Sequence, residues 1–149
     1  AVRALDLKFD PAWAKANIGE FFSQTAGFEL SYVLNGADKP IFATEGEETK
    51  PPASFNRFAE AAAPLLAKVR HGEATRAPFN FTPDTGEMVT APIQASALII
   101  DSGQLYILTA TLVQPDFGRA LPSARAPIVI TGEAIDCRRV RQVRASSKT

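Results

Sequence analysis

The chain opens with the pattern of an amphipathic helix that has a marked start and a marked end. Asp10 followed by Pro11 is typical of a helix start, because aspartate caps the first turn and proline at the first helical position loses no intrahelical hydrogen bond. Gly27 stands where a left-handed residue would end the helix. Between them, four apolar residues lie mostly on one helical face: Trp13, Ile18, Phe21 and Phe22. These signals predict a helix over Pro11–Thr25.

The segment that follows predicts a β-hairpin. Its flanks, Phe28–Leu34 and Ile41–Thr44, are rich in residues that favour strands, and the turn Asn35–Pro40 begins with Asn-Gly, two residues that tolerate positive φ. The next stretch, Glu45–Pro52, is polar, charged and closed by two prolines. We expect it to be a surface connection that cannot continue a strand.

A second helix is predicted after Ser54, which can cap its first turn. Apolar residues recur there at three- and four-residue spacing: Phe55, Phe58, Ala62, Leu65, Leu66 and Val69. Pro64 removes one backbone hydrogen bond and predicts a kink or a break, and Gly72 is the natural stop. The next residues, Glu73–Glu87, are predicted to form a long loop, with or without one short strand. Loops of this length often cover binding sites, although many only fold over the edge of a core.

The rest of the chain predicts three more strands. Ala95–Ile100 and Leu105–Val113 are rich in β-branched residues and flank the turn Asp101–Gln104. A final strand is predicted over Pro127–Thr131. Because apolar residues stand at consecutive positions in these strands, we expect helices or a partner chain to cover both faces of the sheet.

The order of these elements predicts an α+β fold, with an antiparallel sheet of about five strands and helices packed on it. A length of 149 residues fits a single domain over residues 1–149. The longest apolar stretches, Ala95–Ile100 and Leu105–Val113, are far shorter than the roughly 20 residues that a membrane-spanning helix needs. Because residue 1 is Ala rather than Met, we expect the start to be processed or cut from a longer protein.

Composition argues against several classes of function. The 16 Lys and Arg residues balance 16 Asp and Glu residues, so nucleic acid is not an expected partner. None of the nine glycines forms a Gly-x-Gly pair, which excludes the dinucleotide fingerprint. One His and one Cys do not supply the usual ligands of a zinc site, so we expect no metal and no cofactor. The glutamates Glu45, Glu47 and Glu48 match no calcium-loop spacing.

Six segments between Asp10 and Asp136 have a recognisable order and hydrophobic pattern: Gly27–Phe42, Ala63–Arg70, Ser96–Ile100, Leu105–Val113, Pro115-Asp116 and Ala126–Thr131. Together they resemble the CHASE-type sensor domains of the fourth type. This resemblance implies a PAS-like or Cache-like fold. The long helix and the Trp-Asp signature that the family carries before the position of Ala1 are not in the sequence, as in a piece cut from a longer receptor.

The resemblance also implies a place in the cell and a role. Such domains are periplasmic, extracytoplasmic input modules of bacterial inner-membrane receptors, commonly between two transmembrane helices. A membrane tether in the full-length protein and an output through a diguanylate cyclase, a phosphodiesterase or a kinase are therefore implied. No catalytic residue carries over, because these input domains are not enzymes.

The leading hypothesis is a sensory domain that binds a small ligand or relays the state of a partner. Ligand sites are commonly concave and lined by aromatic residues, so the candidate ligand-binding residues are Tyr32, Phe42, His71 and Tyr106. Simpler alternatives are hydrogen-bonded core tyrosines and a histidine that caps a helix end. Two other functions stay open: a small α+β enzyme with a carboxylate acid/base pair, and a ligand-free scaffold that forms a homodimer.

Overall fold

Six antiparallel strands form one sheet in the structure, a computed structural model that describes residues 1–79, 91–115 and 121–136. The strands are β1 (Leu30–Leu34), β2 (Pro40–Glu45), β3 (Glu48–Lys50), β4 (Gln94–Asp101), β5 (Gln104–Leu112) and β6 (Ile128–Ala134). Their order across the sheet is β3-β2-β1-β6-β5-β4. The predicted α+β class with an antiparallel sheet is confirmed, and the sheet has six strands where about five were predicted.

A run of helical turns precedes the sheet, and we call it the N-terminal helical segment. It contains α1 (Pro11–Ala14) and three π-helical stretches, Arg3–Leu7, Lys15–Glu20 and Phe22–Ala26. Asp10 caps α1 as predicted, because the backbone N–H of Trp13 donates to its carboxylate at 3.0 Å. Gly27 has a φ of 71° and ends the last stretch. The predicted helix is confirmed at both ends, although its later turns are wider than those of an α-helix.

The first predicted hairpin is formed by β1 and β2, and Asn35 shapes its turn. The Asn35 side chain accepts hydrogen bonds from the backbone N–H groups of Ala37, at 2.9 Å, and Lys39, at 3.1 Å. Positive φ occurs at Asp38, with a value of 59°, and not at Asn35 or Gly36. The hairpin is confirmed, but asparagine acts through its side chain and not through a left-handed backbone.

The polar stretch after this hairpin contains β3, so the prediction that Glu45–Pro52 cannot continue a strand is wrong. Gly46, with a φ of 62°, turns the chain back after β2, and β3 then pairs antiparallel with β2. The two prolines follow the strand and do not interrupt it. β3 lies at the edge of the sheet, where charged residues are well tolerated.

The second helix, α2, is continuous over Asn56–Thr75 and follows a 3-10 turn at Pro52–Phe55. Ser54 lies in that turn and does not cap α2, so the predicted cap is wrong. Pro64 is exposed within the helix and does not divide it in two. A carbonyl that a proline frees on the solvent side can bond to water, which explains why the helix continues.

The end of α2 also differs from the prediction. The helix passes through Gly72, which serves close packing: a Cβ at this position would lie 2.8 Å from Cγ2 of Ile93. The predicted stop at Gly72 is therefore wrong. The predicted loop Glu73–Glu87 starts only after Thr75, and its residues 80–87 lie outside the described residues.

The second hairpin and the final strand are confirmed as β4, β5 and β6. The turn Ser102-Gly103 has positive φ at both positions, 49° and 79°, which matches the twist of two paired strands. β6 continues to Ala134, beyond the predicted end at Thr131. Within the described ranges, none of the helices has the length and apolar content that a membrane span requires.

The two faces of the sheet are covered unequally. α2 packs on the first face and forms the main core, in which Phe58, Leu65 and Val69 cluster with Leu108 and Ile130. On the second face, the N-terminal helical segment forms a smaller cluster with β1, β2 and the residue that follows β5: Val2, Leu5, Ala14, Ile18, Val33, Phe42 and Val113. The apolar residues of the chain are thus divided between two cores on opposite sides of one sheet.

Over β4 and part of β5, none of residues 1–79, 91–115 and 121–136 covers the second face. Leu98, Ile100 and Ile107 on this face are 64%, 73% and 38% exposed. No described residue covers them. The expectation that helices or a partner chain cover both faces of the sheet is confirmed for β1 within the chain, and for the second face of β4 coverage by a partner chain stays a prediction.

Candidate functional site

A cavity of about 620 Å³ lies between the N-terminal helical segment and the second face of the sheet, and we call it the helix–sheet cavity. Its roof is aromatic and contains Trp13, Phe21, Phe22 and Phe28. Its floor includes threonines from β5 and β6: Thr109, Thr111 and Thr131. The volume is within the range of about 300–1,000 Å³ that is typical of small-molecule sites.

The floor belongs to a row of hydroxyl side chains that crosses the whole sheet. One member stands on each strand, in register with its neighbours, in the order Ser96, Thr109, Thr131, Ser31, Thr44 and Thr49. Residues that are paired in register share one face of a sheet, so we call these six residues the hydroxyl row. The row lies on the face that meets the N-terminal helical segment.

The N-terminal helical segment packs closely on one end of the hydroxyl row and leaves a gap above the other end. Gly19 lies against Thr44 so closely that a Cβ there would be 2.9 Å from Thr44 Cγ2. Ser31 and Thr44 are buried beneath the helical segment, whereas Thr109 and Thr111 are only partly buried. The helix–sheet cavity is the gap between the segment and the threonines of β5 and β6.

Two hydroxyl groups of the floor are available to a ligand. The Thr109 hydroxyl is already engaged with Ser96 at 2.8 Å. Thr111 and Thr131 make no side-chain hydrogen bond within the described part of the chain, and Thr131 is only 8% exposed. A hydroxyl that a ligand shields from water needs a new hydrogen-bond partner, so a polar ligand atom at this position is favoured over an apolar one.

Among the described residues that line the cavity, no side chain carries a charge, although Ala1 with its α-amino group also belongs to the lining. In the roof, Phe22 and Phe28 meet edge to face with ring centroids 5.8 Å apart, and Phe21 lies 6.2 Å from Phe22. The cavity therefore combines aromatic surface with neutral hydrogen-bonding groups.

The four residues predicted to bind a ligand do not form one site. Tyr32 and Tyr106 lie on the first face of the sheet, where both pack against Phe58 at centroid distances of 6.1 and 5.7 Å. Phe42 lies on the second face in the smaller core, and His71 is exposed on α2. The structure brings the two tyrosines into one aromatic cluster and leaves the other two apart. Their role in binding stays a prediction.

Tyr32 is the most strongly perturbed titratable group of this cluster. Burial raises the pKa of its phenol well above the ordinary value, and the Glu45 carboxylate, which accepts its hydrogen bond at 3.4 Å, acts in the same direction. The Arg57 guanidinium opposes this shift and pairs with Glu45 at 3.2 Å. Tyr32 therefore remains neutral in the folded protein, as a core tyrosine with a polar partner would.

The sequence neighbour of His71 has the larger structural role. Arg70 donates to the Asp38 carboxylate at 2.7 Å, to the Glu73 carboxylate at 3.0 Å and to the backbone carbonyl of Ala126 at 2.7 Å. Glu73 in turn accepts from the backbone N–H of Ala126 at 2.8 Å. These contacts, which we call the Arg70 latch, tie α2 to the first hairpin turn and to the approach to β6. Sequence reasoning missed the latch, although Arg70 and Glu73 have the three-residue spacing of a helical ion pair.

The acidic residues that were considered for a cation are otherwise engaged. Glu45 pairs with Arg57, Glu48 pairs with Lys50 at 3.0 Å, and Glu47 accepts a hydrogen bond from Gln24 at 3.0 Å. Across residues 1–79, 91–115 and 121–136, no group of three or more His, Cys, Asp or Glu residues is placed to hold a metal ion.

An α+β domain with a ligand-sized cavity between a helical segment and a sheet fits the sensor class, and comparison with known families gives the assignment. The model of the CHASE4 domain family matches residues 1–149, the whole chain. The chain therefore belongs to the CHASE4 family, and the resemblance found in the sequence is confirmed. CHASE4 domains are extracellular sensor domains. A search of curated proteins finds no match.

Proposed function

We propose that this chain is the periplasmic signal-input domain of a bacterial transmembrane receptor and that it binds a small ligand in the helix–sheet cavity. The observation that carries the proposal is a cavity of about 620 Å³ with an aromatic roof and a hydroxyl floor, in a domain of a sensor family. The domain itself is not an enzyme in this proposal. It controls a cyclic-di-GMP or kinase output module elsewhere in the receptor.

The position of the cavity suggests how binding is transmitted. A ligand there contacts the N-terminal helical segment and β5 and β6 at the same time. The same segment is tied to the approach to β6 by Asp6, which accepts from the backbone N–H of Ser123 at 2.6 Å and from its hydroxyl at 2.8 Å. A ligand that binds one packing of segment and sheet more tightly than another shifts the population toward it.

A thermal-shift panel of small metabolites tests the binding site. A ligand at 100 times its dissociation constant stabilises the domain by about 2.7 kcal/mol. We expect Phe22→Ala, which removes part of the roof, to abolish the shift, while Leu98→Ala, an exposed position outside the cavity, keeps it. A shift that survives Phe22→Ala but is lost in Tyr106→Ala would move the site to the aromatic cluster predicted from the sequence.

The membrane context has a direct test in the native reading frame. Apolar segments of about 20 residues on both sides of the chain, followed by a signalling module, are expected for a transmembrane receptor. A native frame that lacks such segments would contradict the receptor proposal and leave the ligand site to be judged by the binding experiments alone.

A second proposed role, homodimer formation, is favoured by the uncovered part of the second face. Leu98 and Ile107 are direct cross-strand neighbours and, with Ile100, form an exposed apolar patch on β4 and β5. Exposed apolar patches often mark interaction surfaces. We expect the domain to dimerise in light-scattering measurements and Ile100→Lys to make it monomeric. Dimers that persist in Ile100→Lys would exclude this patch as the interface.

A further inference from the structure

We propose that the ligand of the helix–sheet cavity is an uncharged aromatic molecule that carries a hydrogen-bonding group, with its ring against the roof and its polar group on Thr111 and Thr131. This inference rests on the proposed binding function and assigns its ligand class. The chemistry of the two walls supports it, and so does the absence of a charged side chain from the described lining.

The roof selects for a ring. Trp13, Phe21, Phe22 and Phe28 converge on the cavity from one side, and Phe22 and Phe28 already meet edge to face. Aromatic pairs with offset or edge-to-face geometry are more favourable than their buried area alone predicts. A planar aromatic ligand extends this arrangement, whereas a flexible aliphatic chain gains only from burial.

The floor selects for a polar group on the opposite side of that ring. Thr131 stands next to Thr109 in the hydroxyl row, but the Thr109 hydroxyl is engaged with Ser96. The hydroxyls of Thr131 and Thr111 make no bond within the described residues and both belong to the cavity lining. Each can donate one hydrogen bond and accept others, so an amide or hydroxyl group on the ligand is satisfied there.

The lining disfavours an ion. Burial of a charge without a partner is far more costly than burial of a neutral polar group, because hydration is lost and no ion pair replaces it. The described lining has threonine, asparagine and glutamine as its polar side chains. A charged group on the ligand therefore finds no side chain of opposite charge among the described lining residues, and this weakens its binding.

Benzamide and benzoate test the ligand class as a matched pair, because they differ mainly in charge. Trp13 is the single tryptophan of the chain and lies in the roof, so its fluorescence reports on the cavity. Because Ala1 lies in the lining, the 149-residue chain is used with its α-amino group acetylated, and titration followed by fluorescence and by calorimetry is expected to show saturable binding of benzamide. We expect benzoate to bind at least about tenfold more weakly.

Two variants locate the polar group. Thr131→Val and Thr111→Val each remove one hydroxyl and keep the side-chain shape, and each is expected to weaken benzamide binding by about fivefold to tenfold. Thr49→Val is the matched control, because Thr49 belongs to the same hydroxyl row but lies on the exposed edge strand outside the cavity. Its affinity for benzamide is expected to remain unchanged.

The outcomes separate this inference from the proposed function. Absence of benzamide binding up to millimolar concentration, or equal affinity for benzoate, would overturn the neutral aromatic class. If glucose or an amino acid instead changes Trp13 fluorescence and Phe22→Ala abolishes that change, the cavity is still the ligand site and only the class is wrong. If a ligand binds and the cavity variants have no effect, the proposed site itself is wrong.

Discussion

The two hairpins of this sheet have similar apolar sequences but different surroundings. In the first hairpin every residue of β1 is buried, because α2 lies on one side and the N-terminal helical segment on the other. In the second hairpin β4 alternates, and only Ile99 is buried. A run of consecutive apolar residues therefore marks a strand, but it does not show that the same chain covers both of its faces.

The two edge strands of the sheet, β3 and β4, also differ in length and charge. β3 is a three-residue edge strand with exposed Glu48 and Thr49. β4, at the opposite edge, is eight residues long and has no charge before Asp101. Short, charged edges resist pairing with other chains, whereas long apolar edges invite it. The β3 edge of the sheet is thus protected from pairing with other chains, whereas the β4 edge is open to such pairing.

The largest expected effect concerns the face of the sheet on which α2 packs. Phe58 is fully buried between Tyr32 and Tyr106, so Phe58→Ala is expected to lower the free energy of unfolding by about 3–5 kcal/mol. Phe21 in the roof is 54% exposed, so Phe21→Ala removes the same kind of side chain and is expected to cost less than about 1 kcal/mol. Urea unfolding measures both. Equal losses of unfolding free energy in the two variants would show that the two faces of the sheet contribute equally to stability.

Adjacent residues of β4 give the sharpest test of its two faces. Ile99 faces the α2 core and Ile100 faces the open side, so Ile99→Ala is expected to cost about 2–4 kcal/mol and Ile100→Ala less than about 0.5 kcal/mol. Urea unfolding at low protein concentration keeps dimer formation from contributing. A large loss in Ile100→Ala under these conditions would mean that the open face is covered within one chain.

The Arg70 latch is expected to have the next largest effect. Arg70 is 10% exposed, and Arg70→Met leaves the carboxylate of Glu73 buried without its cation, at a cost of about 1.5–3 kcal/mol in unfolding free energy. Arg125 is the matched control, because it also pairs with Asp38, at 3.1 Å, but is largely exposed. Arg125→Met is expected to cost less than about 1 kcal/mol. Similar values for the two variants would contradict a special role for burial.

The smallest expected effect is a change in the pH dependence of stability, which is tested with variants of Tyr32 and Tyr106. Burial raises the pKa of Tyr32 in the folded state above its unfolded value near 10, so the unfolded chain releases the proton first as the pH rises. Stability is unaffected by this group below about pH 10 and falls above it. Tyr32→Phe is expected to cost about 0.5–1.5 kcal/mol at neutral pH and to reduce the alkaline loss.

Urea unfolding at about pH 8 and about pH 11 measures this difference. Tyr106→Phe, in the same aromatic cluster but less buried, serves as the comparison variant. An alkaline loss of stability that is the same in wild type and in Tyr32→Phe would show that Tyr32 does not cause it.

Local signals in the sequence account for most of the secondary structure. Asp10 and Gly27 act through their own backbone or side chain, so both ends of the first helix were predictable. The predictions from Gly72 and Pro64 failed because the effects of these two residues depend on their surroundings in the folded chain. The glycine accommodates Ile93 from another part of the chain, and the proline faces solvent, which no local pattern reveals.

The candidate site was the least predictable part. The aromatic residues of the roof were recognised as one side of a helix, but their proximity to Thr111 and Thr131 depends on how that helix lies on the sheet. The hydroxyl row is also invisible in the sequence, because its six members become neighbours only through the strand order and register. Mid-strand tyrosines were a plausible choice, but the register places them in the opposite core.

The sequence by itself determined the α+β class, the hairpins, the first helix and the CHASE4 membership, because capping residues, turn residues and hydrophobic patterns act over short distances along the chain. The tertiary structure alone decided which face each strand residue occupies, where Arg70 finds its partners and where a cavity remains. These features depend on close packing between segments distant in sequence, such as Gly19 against Thr44, and short-range signals carry no information about that packing.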